Sequence, residues 1–296
     1  MHRSGFVALV GRPNVGKSTL LNSIVGEKIA IVSSKPQTTR TAIRAILTRD
    51  ESQLIFIDTP GLHKPRHELG SSMIRAARAA LRETDIVCFI VEAFCKPGPG
   101  DRHIASLLQE AAGQVILVVN KIDLATPEQL ASNNVLYRGL FPFAGCFALS
   151  ALRKEGLAPL LDALAERLPE GPRYYPPEMV TDQPERFIAA EIIREKIIHL
   201  TREEIPHAIA VVIEQISPRE GRDLIDLRAE IFVERESQAG IIIGKGGLLL
   251  KKAGSAARRE IEVLFGGQVY LDLRVKVKRG WRNRERMLRE LGYKEP

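Results

Sequence analysis

The chain has 296 residues, which is enough for two domains with hydrophobic cores, and its 45% hydrophobic and 5% aromatic content is ordinary for a globular protein. No apolar stretch approaches the ~20 residues of a membrane-spanning helix, and no cleavable signal peptide is expected because the first residues run directly into a predicted strand. The net charge is +7. Cys88, Cys95 and Cys146 follow no metal-binding spacing, so disulfides are not expected.

The first predicted strand, Phe6–Val10, leads into a glycine-rich loop with the pattern G-x-x-x-x-G-K-[ST]. In such a loop the backbone N–H groups face phosphate oxygens at the start of a helix, Lys17 reaches the β- and γ-phosphates, and the Ser18 hydroxyl binds Mg²⁺. A chance match is the alternative, which the strand–loop–helix context disfavours. The predicted nucleotide-binding residues here are Gly11, Arg12, Pro13, Asn14, Val15, Gly16, Lys17, Ser18 and Thr19.

A second motif, Asp58-Thr59-Pro60-Gly61, follows the apolar run LIFI. An aspartate at the end of such a strand holds Mg²⁺ through water. The N–H of Gly61 is placed to meet a γ-phosphate, and a glycine there lets the loop change shape when that phosphate leaves.

Between these motifs lies a polar loop, residues 35–40, without apolar periodicity. A switch loop needs one threonine to complete the Mg²⁺ shell while the γ-phosphate is present. Thr39 is the first candidate and Thr38 the second, although an ordinary solvated loop would look the same.

The third and fourth motifs are predicted to recognise the base. Asn120, Lys121 and Asp123 follow the strand VILVV, and Ser150 and Ala151 follow CFA. The Asp123 carboxylate accepts hydrogen bonds from N1–H and the N2 amine of guanine, a donor pair that adenine lacks. Lys121 would lie along the base plane, and Ser150 and Ala151 would close its far edge. Together the four motifs predict one guanine-nucleotide pocket.

Alternating strands and helices predict that residues 1–168 form an α/β P-loop domain with a doubly wound, mostly parallel sheet. Residues 169–180 begin with four prolines in nine residues and are predicted to be a semi-rigid linker. Residues 181–296 follow a different pattern: a helix over 184–204, strands in AIAVVIEQI and Leu227–Val233, two helices around a glycine-rich loop, and the strand VYLDLRVKV.

This second half resembles the α+β type II KH domain, which binds RNA, and its Gly-x-x-Gly loop is here Gly244-Lys245-Gly246-Gly247. Ile241, Ile242 and Ile243 would form the floor of a groove for unstacked bases. From residue 240 onward there are 14 Lys and Arg against 6 Asp and Glu, a net +8, as phosphate binding requires. Lys251 and Lys252 are candidate RNA contacts, and a merely solvated helix face is the alternative. The basic tail from Trp281, which looks exposed, either extends the RNA surface or packs as a final helix.

Across essentially its whole length the chain resembles the bacterial Era family, which belongs to the TrmE-Era-EngA-like translation-factor-class GTPases. The resemblance rests on GRPNVGKSTLLN, PQTTRT, DTPGLHKP and NKID. It implies slow GTP hydrolysis, with Lys17, Thr39, Gly61 and Asn14 as the active residues and Ser18, Thr39 and Asp58 as the Mg²⁺ ligands. Leu62 replaces the glutamine that orients water in Ras-type enzymes. His63 beside it is more typical of a solvated or structural residue, and Asn14 matches a K⁺-binding asparagine of related GTPases.

The resemblance implies a GTP/GDP switch that binds the 3′ region of small-subunit (16S) ribosomal RNA and assists assembly of the 30S subunit. Such a protein is expected to be cytoplasmic and monomeric, with peripheral contact to the inner face of the cell membrane as a further expectation. A second reading is an RNA-binding structural factor in which GTP only stabilises the fold. A P-loop kinase and a tRNA-modifying GTPase fit less well, because NKID reads guanine and no C-terminal cysteine motif is present.

Overall fold

The computed structural model describes residues 1–33, 35, 38–61 and 67–293, and these form two compact units. The first unit holds residues 1–30, 38–61 and 70–182, and the second holds 31–33, 35, 67–69 and 183–293. Within the described ranges, no helix is both long enough and apolar enough to span a bilayer.

A six-stranded sheet with the order β2-β3-β1-β4-β5-β6 forms the centre of the first unit, and only β2 runs antiparallel to its neighbour. Its strands are β1 Arg3–Val10, β2 Ile43–Thr48, β3 Ser52–Asp58, β4 Ile86–Glu92, β5 Gln114–Asn120 and β6 Gly145–Ala148. The helices of this part of the chain are α1 Lys17–Val25, α2 Glu68–Glu83, α3 Pro99–Leu107, α4 Pro127–Arg138 and α5 Leu157–Arg167, of which the first two residues of α2 belong to the second unit.

The central strands are almost wholly buried, which explains why they are continuous apolar runs rather than alternating ones. Ala8 and Val10 of β1 pack in a cluster with residues of α2, α3 and α4. Val7 and Leu9 lie outside that cluster and are equally buried. Both faces of β1 are therefore covered, as expected for a doubly wound sheet.

The four motifs follow the carboxyl ends of β1, β3, β5 and β6. Leu9 of β1 lies beside Asp58, the last residue of β3, and Glu92, the last residue of β4, lies beside Asn120, the last residue of β5. The carboxyl ends of parallel strands lie at one edge of a sheet, where ligands of such folds bind. The topology therefore assembles the predicted pocket residues at one edge.

The proline-rich stretch expected to be a linker is hydrogen-bonded to the first unit. The Ser4 N–H donates to the Pro169 carbonyl at 3.1 Å, and Gln53 Oε1 accepts the N–H groups of Tyr174 and Tyr175 at 2.7 and 3.0 Å. The Ile46 N–H donates to Val180 at 2.8 Å. Prolines lack an N–H donor, but their carbonyls and their neighbours pair with the strands, and this fixes the segment.

The second unit contains a three-stranded sheet, β7-β8-β9, in which β7 and β8 are antiparallel and β8 and β9 parallel. Apart from two short helices of four and six residues, the order is helix, strand, strand, helix, helix, strand, as expected for a KH domain. The elements are α6 Glu185–Leu200, α7 Ile205–Ala208, β7 Ala210–Pro218, β8 Ile225–Val233, α8 Glu236–Ile243, α9 Leu248–Phe265, β9 Val269–Val277 and α10 Glu285–Glu290.

Isoleucines of α6, including Ile193 and Ile197, pack with Ala253, Ala257 and Ile261 of α9 in the core of the second unit. Ile31 also belongs to this core, although it lies early in the chain. The Val32 N–H next to it donates to Glu195 Oε1 at 2.9 Å. The short segment before the predicted switch threonines therefore belongs structurally to the second unit.

The expectation that Trp281 is exposed is wrong. Its side chain is fully buried, its Nε1–H donates to the Ala208 carbonyl at 3.0 Å, and its ring stacks on Tyr293 at a centroid distance of 5.9 Å. Arg282 pairs with Glu234 of the strand-end loop. The tail is therefore packed within the second unit, because the buried Trp281 anchors it there.

Candidate functional site

The loop between β1 and α1 has a backbone that only glycine permits at two points. Gly16 has a φ of 102°, and a Cβ there would lie 2.3 Å from Nδ2 of Asn120. A Cβ on Gly11 would lie 2.5 Å from the Ile90 carbonyl oxygen. Val15 is fully buried, so it contributes through its backbone. The loop is packed between the ends of β4 and β5, with its N–H groups at the start of α1.

Lys17 is the first residue of α1, and only 6% of its surface is exposed. Its Nζ donates to the carbonyl oxygens of Gly11 at 3.1 Å and Arg12 at 3.0 Å. Burial lowers the pKa of Lys17, and the negative charge of Asp58 opposes that effect. A buried ammonium held by two carbonyls is suited to an anionic ligand, which would restore the solvation that burial removes.

Ser18, Thr39 and Asp58 meet at the phosphate end of the site. Ser18 Oγ donates to Asp58 Oδ2 at 2.6 Å, Thr39 Oγ1 donates to the same oxygen at 3.2 Å, and the two hydroxyl oxygens are 3.0 Å apart. Thr39 is 8% exposed, whereas Thr38 is only partly buried. Three oxygen side chains from three segments therefore converge, as a Mg²⁺ site requires.

One oxygen of this group is unsatisfied. Asp58 Oδ1 is buried and has no hydrogen-bond partner among the described residues. Burial raises the pKa of Asp58, while the charge of Lys17 and the hydrogen bonds from Ser18 and Thr39 oppose the rise. A buried carboxylate with a free acceptor fits a hydrated divalent cation, so these residues are suitable for Mg²⁺.

The segment after Asp58 lies against the phosphate loop. Thr59 Oγ1 donates to the Leu9 carbonyl at 2.8 Å, and a Cβ on Gly61 would lie 3.0 Å from Cγ of Pro13. Pro60, between Thr59 and Gly61 in the sequence, is also buried. Leu62 and His63, and Pro36 and Gln37 of the polar loop, lie outside the described residues.

Asn120 connects the base side of the site to the phosphate side. Its Nδ2 donates to the Val15 carbonyl at 2.8 Å, and its Oδ1 accepts the N–H of Ala151 at 3.0 Å. Lys121 Nζ donates to the Asn14 carbonyl at 2.7 Å. Side-chain hydrogen bonds of the third motif thus join it to the phosphate loop and to the fourth motif.

Asp123 lies in the short 3-10 turn Ile122–Leu124 with a side chain that is 6% exposed. Its Oδ2 is 3.9 Å from Nε of Arg153, whose N–H donates to Ser150 Oγ at 3.2 Å. Ser150 itself is fully buried. The carboxylate and the Ser150–Ala151 segment therefore belong to one small structure at the base end of the pocket.

Two carboxylates that no motif indicates hold the phosphate loop from outside. Buried Asp101 accepts from Arg12 Nε at 2.7 Å through one oxygen and from the Gly98 N–H at 2.9 Å through the other. Glu92 lies 2.5 Å from Lys121 Nζ and 3.6 Å from Nη2 of Arg12. The spacing of Asp101 from Gly98 is a helix-capping pattern, the only signal in the sequence that singles it out.

In the second unit, the loop between α8 and α9 turns through three glycines with positive φ. The angles are 73° at Gly244, 60° at Gly246 and 77° at Gly247. Lys245 in the loop and Lys251 and Lys252 on α9 are exposed. The backbone is therefore open to close approach by a chain of phosphates, with positive charge around it.

The three isoleucines before the loop do not act together. Ile241 and Ile243 are 52% and 39% exposed, but Ile242 is fully buried in the core. Successive helix residues point about 100° apart, so one of the three faces inward. The prediction that Ile242 forms part of an RNA-binding floor is therefore wrong.

A groove of about 490 Å³ lies between α9 and β9. Its lining includes three leucines, one valine, two basic residues and one tyrosine. Lys251 is the one predicted RNA contact in its lining outside the loop, and sequence reasoning missed the rest. The lining residues are Gly247, Leu250, Lys251, Gly254, Ser255, Arg258, Val269, Tyr270, Leu271 and Leu273.

Comparison with known families agrees with both units. Residues 6–121 match the family described as 50S ribosome-binding GTPase, and residues 204–282 match the KH domain. The GTPase Era of Thermoanaerobacter sp. (strain X514) is 50% identical over 292 residues, covering 99% of this chain and 97% of that protein. The GTPase Era of Carboxydothermus hydrogenoformans is 52% identical over 294 residues, covering 99% of each.

Two solved structures are similar over nearly the whole chain, and each is 40% identical to it. An Aquifex aeolicus Era variant bound to GDP·AlF₄⁻ has a TM-score of 0.94 and covers 98% of this chain and 99% of that one. Era in complex with MgGDPNP and nucleotides 1506–1542 of 16S ribosomal RNA has a TM-score of 0.95, with 99% of each chain covered. The predicted P-loop GTPase and KH folds are confirmed, and the chain belongs to the Era family of GTPases.

Proposed function

We propose that the chain is a GTP-driven switch that binds the 3′ region of 16S ribosomal RNA and assists assembly of the 30S subunit. The observation that carries the proposal is that one chain joins a nucleotide pocket to a basic groove. An Era relative that matches this chain from end to end holds both MgGDPNP and a 16S rRNA segment. The 30S subunit is the particle in which that RNA is found.

For the phosphates, we assign the N–H groups of the Gly11–Ser18 loop and the ammonium of Lys17 to the β- and γ-phosphates. Gly61 lies beside Pro13 of that loop, so its N–H is assigned to the γ-phosphate. Hydrolysis releases that phosphate and frees the segment after Asp58. A glycine at position 61 permits the segment to change conformation.

For the metal, we assign Ser18 and Thr39 as ligands, with Asp58 holding a water of the Mg²⁺ shell. Mg²⁺ would neutralise the charge that develops on the phosphate oxygens. The convergence of the two hydroxyls on Asp58, and the free Oδ1 of that carboxylate, support the assignment. Thr39 is preferred to Thr38 because its hydroxyl contacts both partners.

We assign Asp123 to the guanine edge, and Asp123→Asn is expected to relax base preference. An amide accepts only one of the two guanine donors, and its own N–H₂ fits the C2 carbonyl of xanthine. GDP binding should fall by about 100-fold or more, while XDP binding rises. Competition of GDP, XDP and ADP against a fluorescent nucleotide checks this. Asp162→Asn, on the exposed side of α5, is the matched control. Retained GDP selectivity in Asp123→Asn would exclude the assignment.

We further propose K⁺ as a second cation, held by Asn14. Asn14 is exposed at the phosphate loop, and its backbone has a φ of 68°, while its carbonyl is held by Lys121. A cation there would add positive charge beside the transferring phosphate. GTP hydrolysis should be about tenfold faster in K⁺ than in Na⁺ at equal ionic strength, and Asn14→Ala should remove the difference. Equal rates in the two salts contradict the proposal.

For RNA, we assign the Gly244–Gly247 loop to the sugar-phosphate backbone and the groove between α9 and β9 to unstacked bases. Ile241, Ile243, Lys245, Lys251 and Lys252 are exposed around the loop, so they are available as contacts. Ile242 is excluded because it is buried. RNA-binding KH domains use the same combination of a glycine loop and a groove.

The proposed switch is tested by RNA affinity in two nucleotide states. The probe is RNA copied from nucleotides 1506–1542 of 16S rRNA, titrated at fixed salt with protein loaded with GDPNP or with GDP. Binding should be between about 5- and 150-fold tighter in one state, the usual range of coupling between two sites. Equal affinity would contradict switching and favour a structural factor that GTP only stabilises. Undetectable binding would contradict the RNA function itself.

We place the protein in the cytoplasm as a monomer, with peripheral contact to the inner face of the cell membrane through exposed lysines such as Lys251 and Lys252. The support is their positive charge, which attracts anionic lipid as well as RNA. Co-sedimentation with vesicles of phosphatidylglycerol, with and without competing RNA, tests the membrane contact. Recovery of all the protein in the supernatant would contradict the membrane contact. Light scattering would test whether the protein is a monomer.

A further inference from the structure

Arg12 is the second residue of the phosphate loop, and its side chain lies against the first turn of α3. Its Nε donates to Asp101 Oδ1 at 2.7 Å, and a Cβ on Gly100 would lie 2.9 Å from Cδ of the arginine. The stem of Arg12 therefore packs on the backbone of α3, and its guanidinium is paired with a carboxylate of the same helix. The pair joins the phosphate loop to a helix that is distant in the sequence.

Asp101 is a rigid partner for this arginine. It is the third residue of α3 and is fully buried. Its Oδ2 accepts the Gly98 N–H at 2.9 Å, which caps the start of the helix, while its Oδ1 accepts from Arg12. A buried carboxylate with both oxygens occupied has little freedom to move, so it fixes the head group of the longer and more flexible arginine side chain.

The phosphate loop has a backbone conformation that needs support from its surroundings. Asn14 has a φ of 68° and Gly16 a φ of 102°. A side-chain-bearing residue is less stable in this left-handed region than in an extended conformation, and it persists there where neighbouring groups hold it. The Arg12 carbonyl accepts from Lys17 at 3.0 Å and the Asn14 carbonyl accepts from Lys121 at 2.7 Å. The Arg12 side chain therefore adds a third attachment to the first half of the loop.

Glu92 lies near the same arginine but is attached mainly to another residue. Its Oε2 is 3.6 Å from Nη2 of Arg12, which is beyond hydrogen-bond distance, whereas its Oε1 is 2.5 Å from Nζ of Lys121. Glu92 therefore adds a weaker attraction to Arg12 while it holds the lysine of the third motif. Asp101 is the carboxylate that forms the hydrogen bond with Arg12.

We propose that Asp101 is a positioning residue that, acting through Arg12, holds the phosphate loop in its phosphate-binding conformation and so limits the rate of nucleotide release. This role rests on the proposed assignment of the loop to the phosphates. Asp101 acts without touching the nucleotide. A loop that the protein holds in its binding conformation costs the ligand no ordering energy, and a loop that loosens releases the ligand sooner.

The first test is Asp101→Asn in the full chain. Asparagine keeps a side-chain oxygen for the Gly98 N–H, so α3 stays capped, but it removes the negative charge that faces Arg12. Release of fluorescently labelled GDP, chased with excess unlabelled GDP, should be about tenfold faster, which corresponds to the loss of one charged hydrogen bond. Arg49→Ala is the matched control. It removes an arginine–aspartate pair of similar length, 2.6 Å to Asp162, at the opposite edge of the sheet, and should leave release unchanged.

The second test separates positioning from stability. Arg12→Ala should also release GDP about tenfold faster, and it leaves the buried Asp101 charge without its partner, so its unfolding temperature should fall. The double variant Arg12→Ala/Asp101→Asn removes that charge, so its unfolding temperature should lie above that of Arg12→Ala. Its GDP release should nevertheless stay about tenfold fast, because both changes remove the same interaction. Release is measured at a temperature at which every variant is folded.

Three results would each overturn the positioning role. Release from Asp101→Asn within twofold of the unaltered chain would leave Asp101 as a helix cap alone. Slow release restored in the double variant would trace the effect to stability. Rates that multiply in the double variant would mean that Arg12 contacts the nucleotide itself. Lys17→Ala reports on the loop separately: if it binds GDP as tightly as the unaltered chain, the phosphate assignment fails. If it binds weakly while Asp101→Asn releases GDP normally, only the positioning role fails.

Discussion

Lys17→Ala is expected to lower the affinity for GDP and GTP by about 100-fold or more. The ammonium is buried at the start of α1 and held by the carbonyls of Gly11 and Arg12, so it is already positioned for the phosphates. Its removal also leaves the buried Asp58 carboxylate without its nearest positive charge, and the pKa of that carboxyl rises further. Both effects weaken phosphate and Mg²⁺ binding together.

Equilibrium titration with fluorescently labelled GDP measures this loss of affinity. Lys28→Ala, at an exposed lysine of the first unit, is the matched control and should bind GDP as the unaltered chain does. RNA binding by Lys17→Ala in the absence of nucleotide should be retained, because the loop and groove belong to the second unit. An affinity for GDP within fivefold of the original would mean that Lys17 does not contact the phosphates.

Gly244→Asp is expected to lower RNA affinity by about 30-fold or more. The residue has a φ of 73°, and a Cβ there would lie 2.8 Å from Cβ of Leu249, so any side chain forces the loop to shift. Aspartate adds a negative charge where phosphates are expected. Nucleotide binding should not change, since the pocket lies in the first unit.

Two companion variants separate the clash with Leu249 from the charge. Gly244→Ala introduces that clash and the backbone strain without a charge, whereas Gly246→Asp introduces the charge and the strain of a φ of 60°, with nothing within 4 Å of a Cβ. Gly26→Asp, at another open glycine of positive φ, is the control in the first unit. If the backbone of RNA lies on the loop, Gly246→Asp weakens binding and Gly26→Asp does not. Unchanged RNA affinity in both loop aspartate variants would mean that the loop is a simple turn that does not contact RNA.

The nucleotide pocket could be predicted because its residues stand at the ends of strands. Asp58 and Asn120 each end a buried apolar run, and parallel strands bring such ends to one edge. The glycines at 11 and 16 follow from the close approach of the loop to its neighbours. Local pattern and global topology agree here, so a motif is sufficient to locate the chemistry.

Other residues depend on tertiary packing that no spacing reveals. Glu92 is a single acidic residue at the end of β4, and only the fold brings it to Lys121 and Arg12. Trp281 lies among arginines, and its burial comes from a pocket formed by distant parts of the second unit.

Asn120 has a consequence for how the pocket could change in evolution. Its amide touches both the phosphate loop, through Val15, and the far edge of the base site, through Ala151, and it leaves no room for a side chain on Gly16. A substitution at Asn120 would therefore disturb the phosphate loop at Val15 and the Ala151 segment at once. The contact described for the Asp123 side chain is with Arg153 and not with the phosphate loop. A lineage could therefore acquire a new base preference at position 123 while the phosphate-binding residues keep their arrangement.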